Sequence, residues 1–572
     1  MSLARLIAAL FVLFVHTPLQ AAEPAENATT GPAPSGLATI DWLIIGVYAA
    51  STLGLGWYYS RRQRTTEEYF VGGRKMNPIL IGVSLFATLL STISYLSMPG
   101  ESLGKGPVNM TTMLAYPLVF LIVGFWLLPV YMKQRVTSAY ELLETRLGLS
   151  IRLLGAGMFI LLRLVWMSLL VYLTAKALTI MLGIPEEEQQ EWIPYIALAT
   201  GFVAVIYTSL GGLQAVVVTD FIQTVLLYGG ALLVLAVVTV DLGGFGWFPT
   251  EWEQHWDTQP IYSFDPATRV TVVGSVLTFL VWYVSTSGGD QVSVQRFMAV
   301  EDIKAARQAL ATQLTVSVIV GVTLGIVGFA LLGYFRAHPD LLPAGKTLAA
   351  NADEIFPRFI AFHLPPGISG LVVAAMFAAA MSSVDSGVNS ITAVVMRDLL
   401  DRFGRSPKND RQHVIAARLL AFGIGAVVVI GSSLMDRVPG NITAVTNKTS
   451  NLLTTPIFCL FFFALFVPFA RPIGVWVGAF FGTATAAVIA FSGPLVTLLA
   501  NQFGVDPQLF NVEIDEVTGM APDPISFQWI APAAVTANIV AGMLASLLLG
   551  GTKKAGQHPM DGQDDQRQGE ST

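Results

Sequence analysis

Charged residues and cysteine are both scarce in this chain. Only 12% of its 572 residues are Asp, Glu, Lys or Arg, and Cys459 is its single cysteine. A soluble protein carries about 25% charged residues, and one thiol excludes an internal disulfide framework. The sequence has no His-Glu-x-x-His zinc motif, and its "GKT" at 345–347 lacks the glycine that a phosphate loop has five positions earlier. These absences argue against an ATP-driven pump and an intramembrane metalloprotease, so we expect a carrier driven by an ion gradient or a channel, and not an enzyme.

Long apolar runs are what the chain does have. Hydrophobic residues make up 53% of it, and its mean hydropathy is +0.63. The apolar residues come in blocks of about twenty, the length that spans a bilayer as a helix. The pattern predicts an all-α polytopic membrane protein with about 13 transmembrane helices. The approximate spans are 40–58, 79–98, 111–131, 152–183, 193–210, 219–241, 269–287, 312–335, 367–392, 413–434, 447–468, 473–492 and 528–550.

The two ends of the chain differ from these runs. Arg5, the apolar "LIAALFVLFV" and the small-residue "LQAA" predict a signal peptide over residues 1–22. A first transmembrane helix is the alternative, although the apolar core is short. Residues 23–39 then form an external flexible tail, and the polar residues 551–572 are expected to be a disordered cytoplasmic tail.

The basic residues of the connecting segments predict the orientation. They concentrate in alternate loops, including "RRQR" at 61–64 and "RSPKNDR" at 405–411. Because Lys and Arg are enriched in cytoplasmic loops, we expect a multi-pass plasma-membrane protein with its N-terminus outside and its C-terminus in the cytoplasm. The outer loop 242–268 would then anchor its tryptophans in the membrane interface, or form an extracellular lid. These tryptophans are Trp247, Trp252 and Trp256.

The ninth span contains an unusual polar stretch, "AAAMSSVDSGVNS", at 378–390. On a helix, one face of this stretch would carry Ala379, Ser382, Ser383, Ser386 and Ser390. Serines in membrane helices often bond only to a carbonyl one turn back. That reading explains Asp385 poorly, since a mid-membrane Asp costs about 2.5–3.5 kcal/mol on insertion scales. Because hard oxygen ligands suit hard cations, the face predicts a site for sodium or a proton.

Two other spans offer partners for this face. The second span, 83–100, places Ala87, Leu90, Ser91 and Ser94 together. Its Ser and Thr content, with Pro99-Gly100 near one end, suggests an interrupted helix whose free carbonyls face a cavity or an ion. The sixth span opens with "GGLQAVVVTDFIQ" at 211–223, which puts Asp220 near the inner boundary. An ordinary interfacial charge is the alternative reading of Asp220.

Three motifs in this order resemble the signatures of the sodium/solute symporter family. They are "GGLQAVVVTDFIQ" at 211–223, "GGDQVSVQRFMAV" at 288–300 and "GISGLVVAAMFAAAMSSVDSGVNS" at 367–390. The likeness covers about residues 40–470, and "YFVGGRKMNP" at 69–78 adds to it. The family includes sodium-coupled carriers of glucose, galactose, proline, sialic acid, iodide and monocarboxylates.

The resemblance implies a leucine-transporter-like fold, with a core of two inverted five-helix repeats and the substrate and ion near mid-membrane. The first repeat would be 79–241 and the second 269–468, with peripheral transmembrane helices at 40–58 and 473–550. The first helix of each repeat, 79–98 and 269–287, should be broken. The glycine pair Gly288-Gly289 fits the second break.

The resemblance also implies ion ligands. The main sodium site would take the carbonyls of Ala87, Leu90 and Ala379 and the hydroxyls of Ser382 and Ser383. Some members have a second sodium site, whose counterparts here are Asp220, Asp385 and Ser386. Members with that site carry hydroxyls at the last two positions, whereas this chain has one carboxylate there. A second sodium, a coupled proton and a structural pair all stay open.

The implied function is sodium-coupled symport, in which sodium drives import of a small organic solute by alternating access. Sodium, the solute and the lipid bilayer are the expected partners, and no nucleic acid is expected. A channel or a sodium-gated sensor with the same ion ligands is the alternative, although the long cytoplasmic domain of a sensor is absent. The candidate substrate residues are Ser94, Tyr283, Thr286, Asn447 and Arg163.

Substrate charge depends on Arg163. An intramembrane Arg is a functional candidate because a carboxylate substrate offsets its desolvation. The other reading is that Arg163 snorkels to the interface or pairs with Asp220 or Asp385. The sugar carriers place a Glu where this chain has Met113, so a close match to them is not supported. We therefore expect a monocarboxylate-type anion slightly ahead of a sugar or polyol.

Overall fold

The computed structural model describes residues 37–61, 66–134, 138–342, 345–405, 407, 409–435, 442–515 and 519–549. Within these ranges the regular structure is helical, without a strand. The predicted signal peptide and the predicted cytoplasmic tail both lie outside them. The helices are α1 (Thr39–Ser60), α2 (Thr66–Val71), α3 (Pro78–Leu89), α4 (Thr92–Lys105), α5 (Pro107–Lys133), α6 (Glu141–Leu147), α7 (Leu149–Met181), α8 (Glu186–Asp241), α9 (Val272–Gly289), α10 (Gln291–Phe297), α11 (Ile303–Ala337), α12 (Ala352–Phe362), α13 (Ile368–Asp401), α14 (Asp410–Ser432), α15 (Ile442–Phe466), α16 (Pro472–Ala490), α17 (Ser492–Phe503) and α18 (Ile530–Leu548).

The described helices form a polytopic bundle. Eleven of them are long and apolar enough to cross a membrane, or twelve when the bent pair α3–α4 counts as one span. The predicted spans 193–210 and 219–241 both fall within α8, whose 56 residues include Gly212 in a non-helical conformation with φ 58°. An unbroken helix of that length measures about 84 Å, far more than the hydrocarbon core of about 30 Å. The all-α polytopic class is confirmed, whereas the count of thirteen stays a prediction.

The predicted interruption of the second span is present, but not at Pro99. Helix α3 begins after its cap Asn77 and ends at Leu89, and Leu90 is extended with φ −86° and ψ 99°. The Ser91 side chain then caps α4 by accepting a hydrogen bond from the Ser94 N–H. The two helices meet at a 67° bend. Pro99 lies inside α4, so the capping serine, and not the proline, marks the break.

A second interruption separates α9 from α10. Asp290 is extended between them, and its side chain caps α10 by accepting from the Val292 N–H at 2.9 Å. The glycine pair directly before it permits a close helix contact, since a Cβ on Gly289 would lie 2.8 Å from the Cα of Phe458 in α15. The break therefore follows the predicted span 269–287 at the expected glycines. The division into two inverted repeats stays a prediction.

The loop after α8 packs on the protein, which corrects the prediction of interfacial anchoring for two of its three tryptophans. Trp256 is buried and its indole N–H donates to the Leu103 carbonyl at 2.9 Å. Trp247 is also buried and donates to the Thr239 hydroxyl at 3.1 Å. Trp252 alone of the three is substantially exposed, at 43%. Buried indoles need a hydrogen-bond partner, and both buried rings have one in the protein.

Helix α13 lies at the centre of the bundle. It packs against α1, α3, α7, α8 and α14, and nearly all its residues from Ser369 to Val394 are buried. Small side chains let these helices approach closely. A polar face on α13 is therefore enclosed by protein on its sides, where hydroxyl and carboxyl groups can be satisfied by neighbouring helices.

Candidate ion site and solute cavity

Three hydrogen bonds join α13 to the α3–α4 break. The hydroxyls of Thr88 and Ser386 lie 2.9 Å apart. The Ser383 hydroxyl donates to the Thr88 carbonyl at 3.3 Å, and the Thr92 hydroxyl donates to the Met376 carbonyl at 3.1 Å. The contacts lie on both sides of the break, so they hold the interrupted backbone against the polar face of α13.

The five predicted sodium ligands come from these two elements. Because α3 ends at Leu89, the carbonyls of its last turn lack intrahelical donors. Ala87 and Ala379 are buried, at 5% and 3% exposure. The Ser382 hydroxyl donates to Asp220, at 2.5 Å, and its oxygen keeps lone pairs that can hold a cation. The break and α13 thus present carbonyl and hydroxyl oxygens to one another, which is ligand chemistry for a hard cation.

Asp220 lies in a fully buried polar cluster beside these ligands. Its carboxylate accepts hydrogen bonds from Ser84 and Ser382, each at 2.5 Å. Arg296 of α10 forms a salt bridge with it at 3.3 Å and donates to the Ser386 hydroxyl at 2.5 Å. Asp220 and Arg296 are both 0% exposed. This network replaces the alternative reading of Asp220 as an ordinary interfacial charge.

Arg296 is a residue that the sequence reasoning missed. It stands in the motif "GGDQVSVQRFMAV", but the predicted spans left that motif in a cytoplasmic loop. The structure places it in α10, directly after the second helix break, where its guanidinium also donates to Ser84 at 2.8 Å. The sequence signal that could have identified Arg296 is its position, as a basic residue, within a motif that resembles one of the family.

Asp385 has different partners from Asp220. The Thr208 hydroxyl, in the first part of α8, donates to the Asp385 carboxylate. Ser386, its neighbour in the chain, points instead to Arg296 and Thr88. The contacts therefore place Asp385 and Ser386 on different sides of α13. The second cation site stays a prediction, and its two carboxylates accept hydrogen bonds from different hydroxyl groups.

Arg163 pairs with neither predicted partner. It is 7% exposed, and it forms a salt bridge with Asp290, the residue between α9 and α10. Snorkelling to the interface and pairing with Asp220 or Asp385 are both wrong. The cause is the second helix break, which leaves the Asp290 carboxylate at the α10 N-terminus facing α7. The Arg163 Nε has no hydrogen-bond partner among the described residues.

A large cavity of about 150 Å³ runs along one face of α9. Ser275, Thr278, Phe279, Trp282 and Tyr283 form that face at spacings of three and four residues. Three of the predicted substrate residues line the cavity, namely Ser94, Tyr283 and Asn447. The predicted sodium ligand Leu90 also lines it, so the ion site and the cavity share the α3–α4 break.

The other two predicted substrate residues line a separate, small cavity of about 30 Å³. Thr286 and Arg163 contribute to it, together with Asp290. The two cavities adjoin, since both are lined by Leu89, Trp166, Trp282 and Ser450. From Ser275 to Thr286 the shared face of α9 covers about 16 Å, so the two cavities follow one another along this helix.

The large cavity is uncharged and mostly apolar. Its described lining contains hydroxyl, amide and aromatic side chains and no Asp, Glu, Lys, Arg or His. Tyr116 and Tyr283 place their hydroxyls 3.4 Å apart, and the Tyr283 hydroxyl is 3.4 Å from that of Ser317. Sequence spacing did not single out Tyr116 or Ser317, because they reach the cavity from α5 and α11 only through packing.

Interrupted membrane helices around an uncharged cavity and an oxygen-lined break are typical of a membrane transporter. The profile of the sodium:solute symporter family matches residues 69–483, and the chain belongs to that family. It is a sodium-coupled symporter and not an enzyme, and the predicted family is confirmed. Sodium is its coupling ion.

Individual relatives agree with this assignment. The sodium/sialic acid symporter SiaT of Proteus mirabilis (strain HI4320) is 30% identical over 82% of this chain and 91% of its own length. The sodium-dependent multivitamin transporter of Oryctolagus cuniculus is 28% identical over 93% and 87%. A solved substrate-bound, outward-open Na⁺-coupled sialic acid symporter superposes with a TM-score of 0.70 and 26% identity, covering 91% of this chain and all of that one.

Proposed function

We propose that this symporter imports a small organic solute through the large cavity, with a monocarboxylate-type anion as the leading candidate. The observation that carries the proposal is Leu90, a predicted sodium ligand that also lines the cavity. Ion and solute would therefore meet at the α3–α4 break, where binding of one changes the environment of the other. Two relatives, named as a sialic acid symporter and as human sodium-coupled monocarboxylate transporter 1, support an acid as the solute.

An anionic solute in the large cavity needs a positive charge to compensate its own. The large cavity has no cationic side chain in its described lining, and Asp290 already neutralises Arg163. A bound sodium ion would then supply the compensating charge. One sodium with one monovalent anion moves no net charge, so accumulation driven by membrane potential, worth about 2.3 kcal/mol per charge per 100 mV, would need a second cation.

A neutral sugar or polyol is the second candidate, and the uncharged lining favours it. Hydroxyl and amide groups can bond to solute hydroxyls, and aromatic rings such as Phe279 and Trp282 offer apolar surfaces to a ring. The cavity volume of about 150 Å³ lies below the roughly 300–1,000 Å³ of pockets that enclose drug-sized ligands. Both candidates are therefore small solutes.

The test is sodium-driven uptake by the purified protein in proteoliposomes. The panel contains lactate, sialic acid and glucose, each offered with a sodium gradient and with potassium in its place. We expect uptake of an acid only with sodium, and counterflow of preloaded solute, which a channel does not show. Uptake of glucose alone would replace the anion with the neutral candidate. Passive sodium flux without counterflow would contradict the symport mechanism.

Orientation belongs to the same proposal. We expect a plasma-membrane protein with its N-terminus outside and its C-terminus in the cytoplasm, supported by the basic loops at 61–64 and 405–411. A reporter enzyme fused to the C-terminus should be active only in the cytoplasm. Activity confined to the outside would contradict the orientation.

A further inference from the structure

The residues directly before α18 are fixed to the beginning of α9. The Gln528 side chain donates to the Ser275 hydroxyl at 2.8 Å and accepts from the Thr271 N–H at 3.1 Å. The Thr278 hydroxyl donates to the Gln528 carbonyl. A Cβ on Gly274 would lie 2.3 Å from the Gln528 Oε1, so the glycine permits this approach. The described residues 521–529 are named the recognition segment below.

The recognition segment contributes to the wall of the large cavity. Phe527 and Gln528 line the cavity beside Ser275 and Thr278 of α9, and Gln528 is only 2% exposed. An amide has two donors and two acceptor lone pairs. The two side-chain bonds to α9 therefore leave Gln528 with a second N–H and a second lone pair for a solute.

A second attachment ties the recognition segment to α15. Lys448, which is 6% exposed, forms a salt bridge with Asp523 at 2.6 Å. The other oxygen of Asp523 accepts from the Gly493 N–H at 3.0 Å. Lys448 directly follows Asn447, a residue of the cavity wall. The segment is thus held on both helices that border this end of the cavity.

We propose that the recognition segment determines solute specificity, with Gln528 hydrogen-bonding a polar group of the solute and Phe527 contacting its apolar part. This inference rests on the proposed function, since it requires the solute to occupy the large cavity. It assigns part of the binding site to the segment directly before α18, within a region that the sequence analysis treated as peripheral. The ligand class is a small solute that combines a hydroxyl or carboxylate with an apolar surface.

Transport kinetics provide the first test. Gln528→Leu removes the amide and should raise the KM of the solute that the wild type transports, by roughly tenfold for one lost hydrogen bond. Phe527→Ala should raise the KM as well and change the order of preference among lactate, sialic acid and glucose. The sodium concentration for half-saturation at saturating solute should not change. Gln508→Leu, at an exposed position bonded to Glu513, is the matched control.

Thiol labelling provides a test that does not depend on the Gln528 hydrogen bonds for function. In a Cys459→Ser background, Phe527→Cys and Gln528→Cys should each react with a water-soluble trimethylammonium methanethiosulfonate on the purified protein in sodium. The transported solute should slow both reactions. Asn538→Cys, at a fully buried position of α18, should stay unreactive, and Gln508→Cys should react without protection by the solute.

The outcomes separate this inference from the proposed function. A wild type without sodium-driven uptake of any panel solute contradicts the proposed function. A wild type that transports, combined with unchanged KM in Gln528→Leu and Phe527→Ala, overturns the inference alone. Labelling of both cysteines without protection by the transported solute also overturns it.

Discussion

Two buried arginine–aspartate pairs lie near the α9–α10 break, one through Asp290 at the break and one through Arg296 of α10, and their surroundings differ. Asp220 accepts from two serines besides Arg296, and Arg296 donates to Ser84 and Ser386 as well. The pair of Arg163 and Asp290 instead lines the small cavity. There the Arg163 Nε lacks a hydrogen-bond partner among the described residues.

The difference shows that a buried arginine–aspartate pair can have different roles in different surroundings. A buried charged network whose members are satisfied is rigid and specifies one geometry. The Asp220–Arg296 network therefore suits the positioning of Ser382, a predicted sodium ligand. A pair beside a cavity, with an unused donor, suits contact with something that enters the cavity. Variants of both pairs test this comparison.

The largest expected effect is that of Arg296→Gln. It leaves Asp220 buried without its cation, and breaking a buried pair in this way costs about 3–5 kcal/mol. We expect a large loss of folded, monodisperse protein, measured by thermal unfolding in detergent. The double variant Asp220→Asn with Arg296→Gln should recover much of the folded protein, because no charge is then stranded. Normal stability of the single variant would show that this pair is not structural.

Sequence reasoning predicted the features that depend on local pattern. Hydropathy predicted the all-α polytopic class, the capping Ser91 stood in the segment predicted to be interrupted, and the serines of α13 follow helical spacing. It did not predict the salt bridges, because their members are far apart in the chain: 127 positions separate Arg163 from Asp290, and 76 separate Asp220 from Arg296. Which charge meets which depends on how the helices pack, and spacing within one helix does not contain that information.

The second effect concerns the ion ligands beside the satisfied pair. Ser383→Ala and Ser382→Ala should each raise the half-saturating sodium concentration, because each removes a predicted hydroxyl ligand. Ser382→Ala should also reduce stability, since Asp220 loses a donor. Sodium-dependent uptake measures the first effect and thermal unfolding the second. Ser369→Ala, at a hydroxyl bonded to the Leu364 carbonyl near the start of α13, is the control. Unchanged sodium dependence of uptake in both variants would contradict the assignment of Ser382 and Ser383 as sodium ligands.

The third effect concerns the pair beside the small cavity. Arg163→Gln alone strands Asp290, so the double variant Arg163→Gln with Asp290→Asn is the sharper test. Because the small cavity adjoins the large one at Trp166 and Trp282, the carboxylate of a solute in the large cavity would extend toward the Arg163 Nε. We expect the double variant to fold and to transport an anionic solute with a KM raised roughly tenfold, the loss of one hydrogen bond. Competition by short carboxylates and by hexoses measures the solute class. Inhibition by hexoses alone, with Arg163→Gln still transporting normally, would end the anion proposal.

The smallest expected effect is that of Asp385→Asn, which tests whether a second cation is coupled. Asn keeps the shape of Asp and a carbonyl oxygen that can accept from Thr208, so we expect folded protein and continued uptake. If Asp385 contributes to a second cation site, loss of its charge lowers the number of ions moved with each solute. The reversal potential of proteoliposomes with opposed sodium and solute gradients measures that ratio. Asp220→Asn provides the comparison, since it should lower the ratio and also weaken the Arg296 network. If Asp385→Asn expresses normally and its ion-to-solute ratio is unchanged, Asp385 has a structural role. In that role it joins α13 to α8 by accepting a hydrogen bond from the Thr208 hydroxyl.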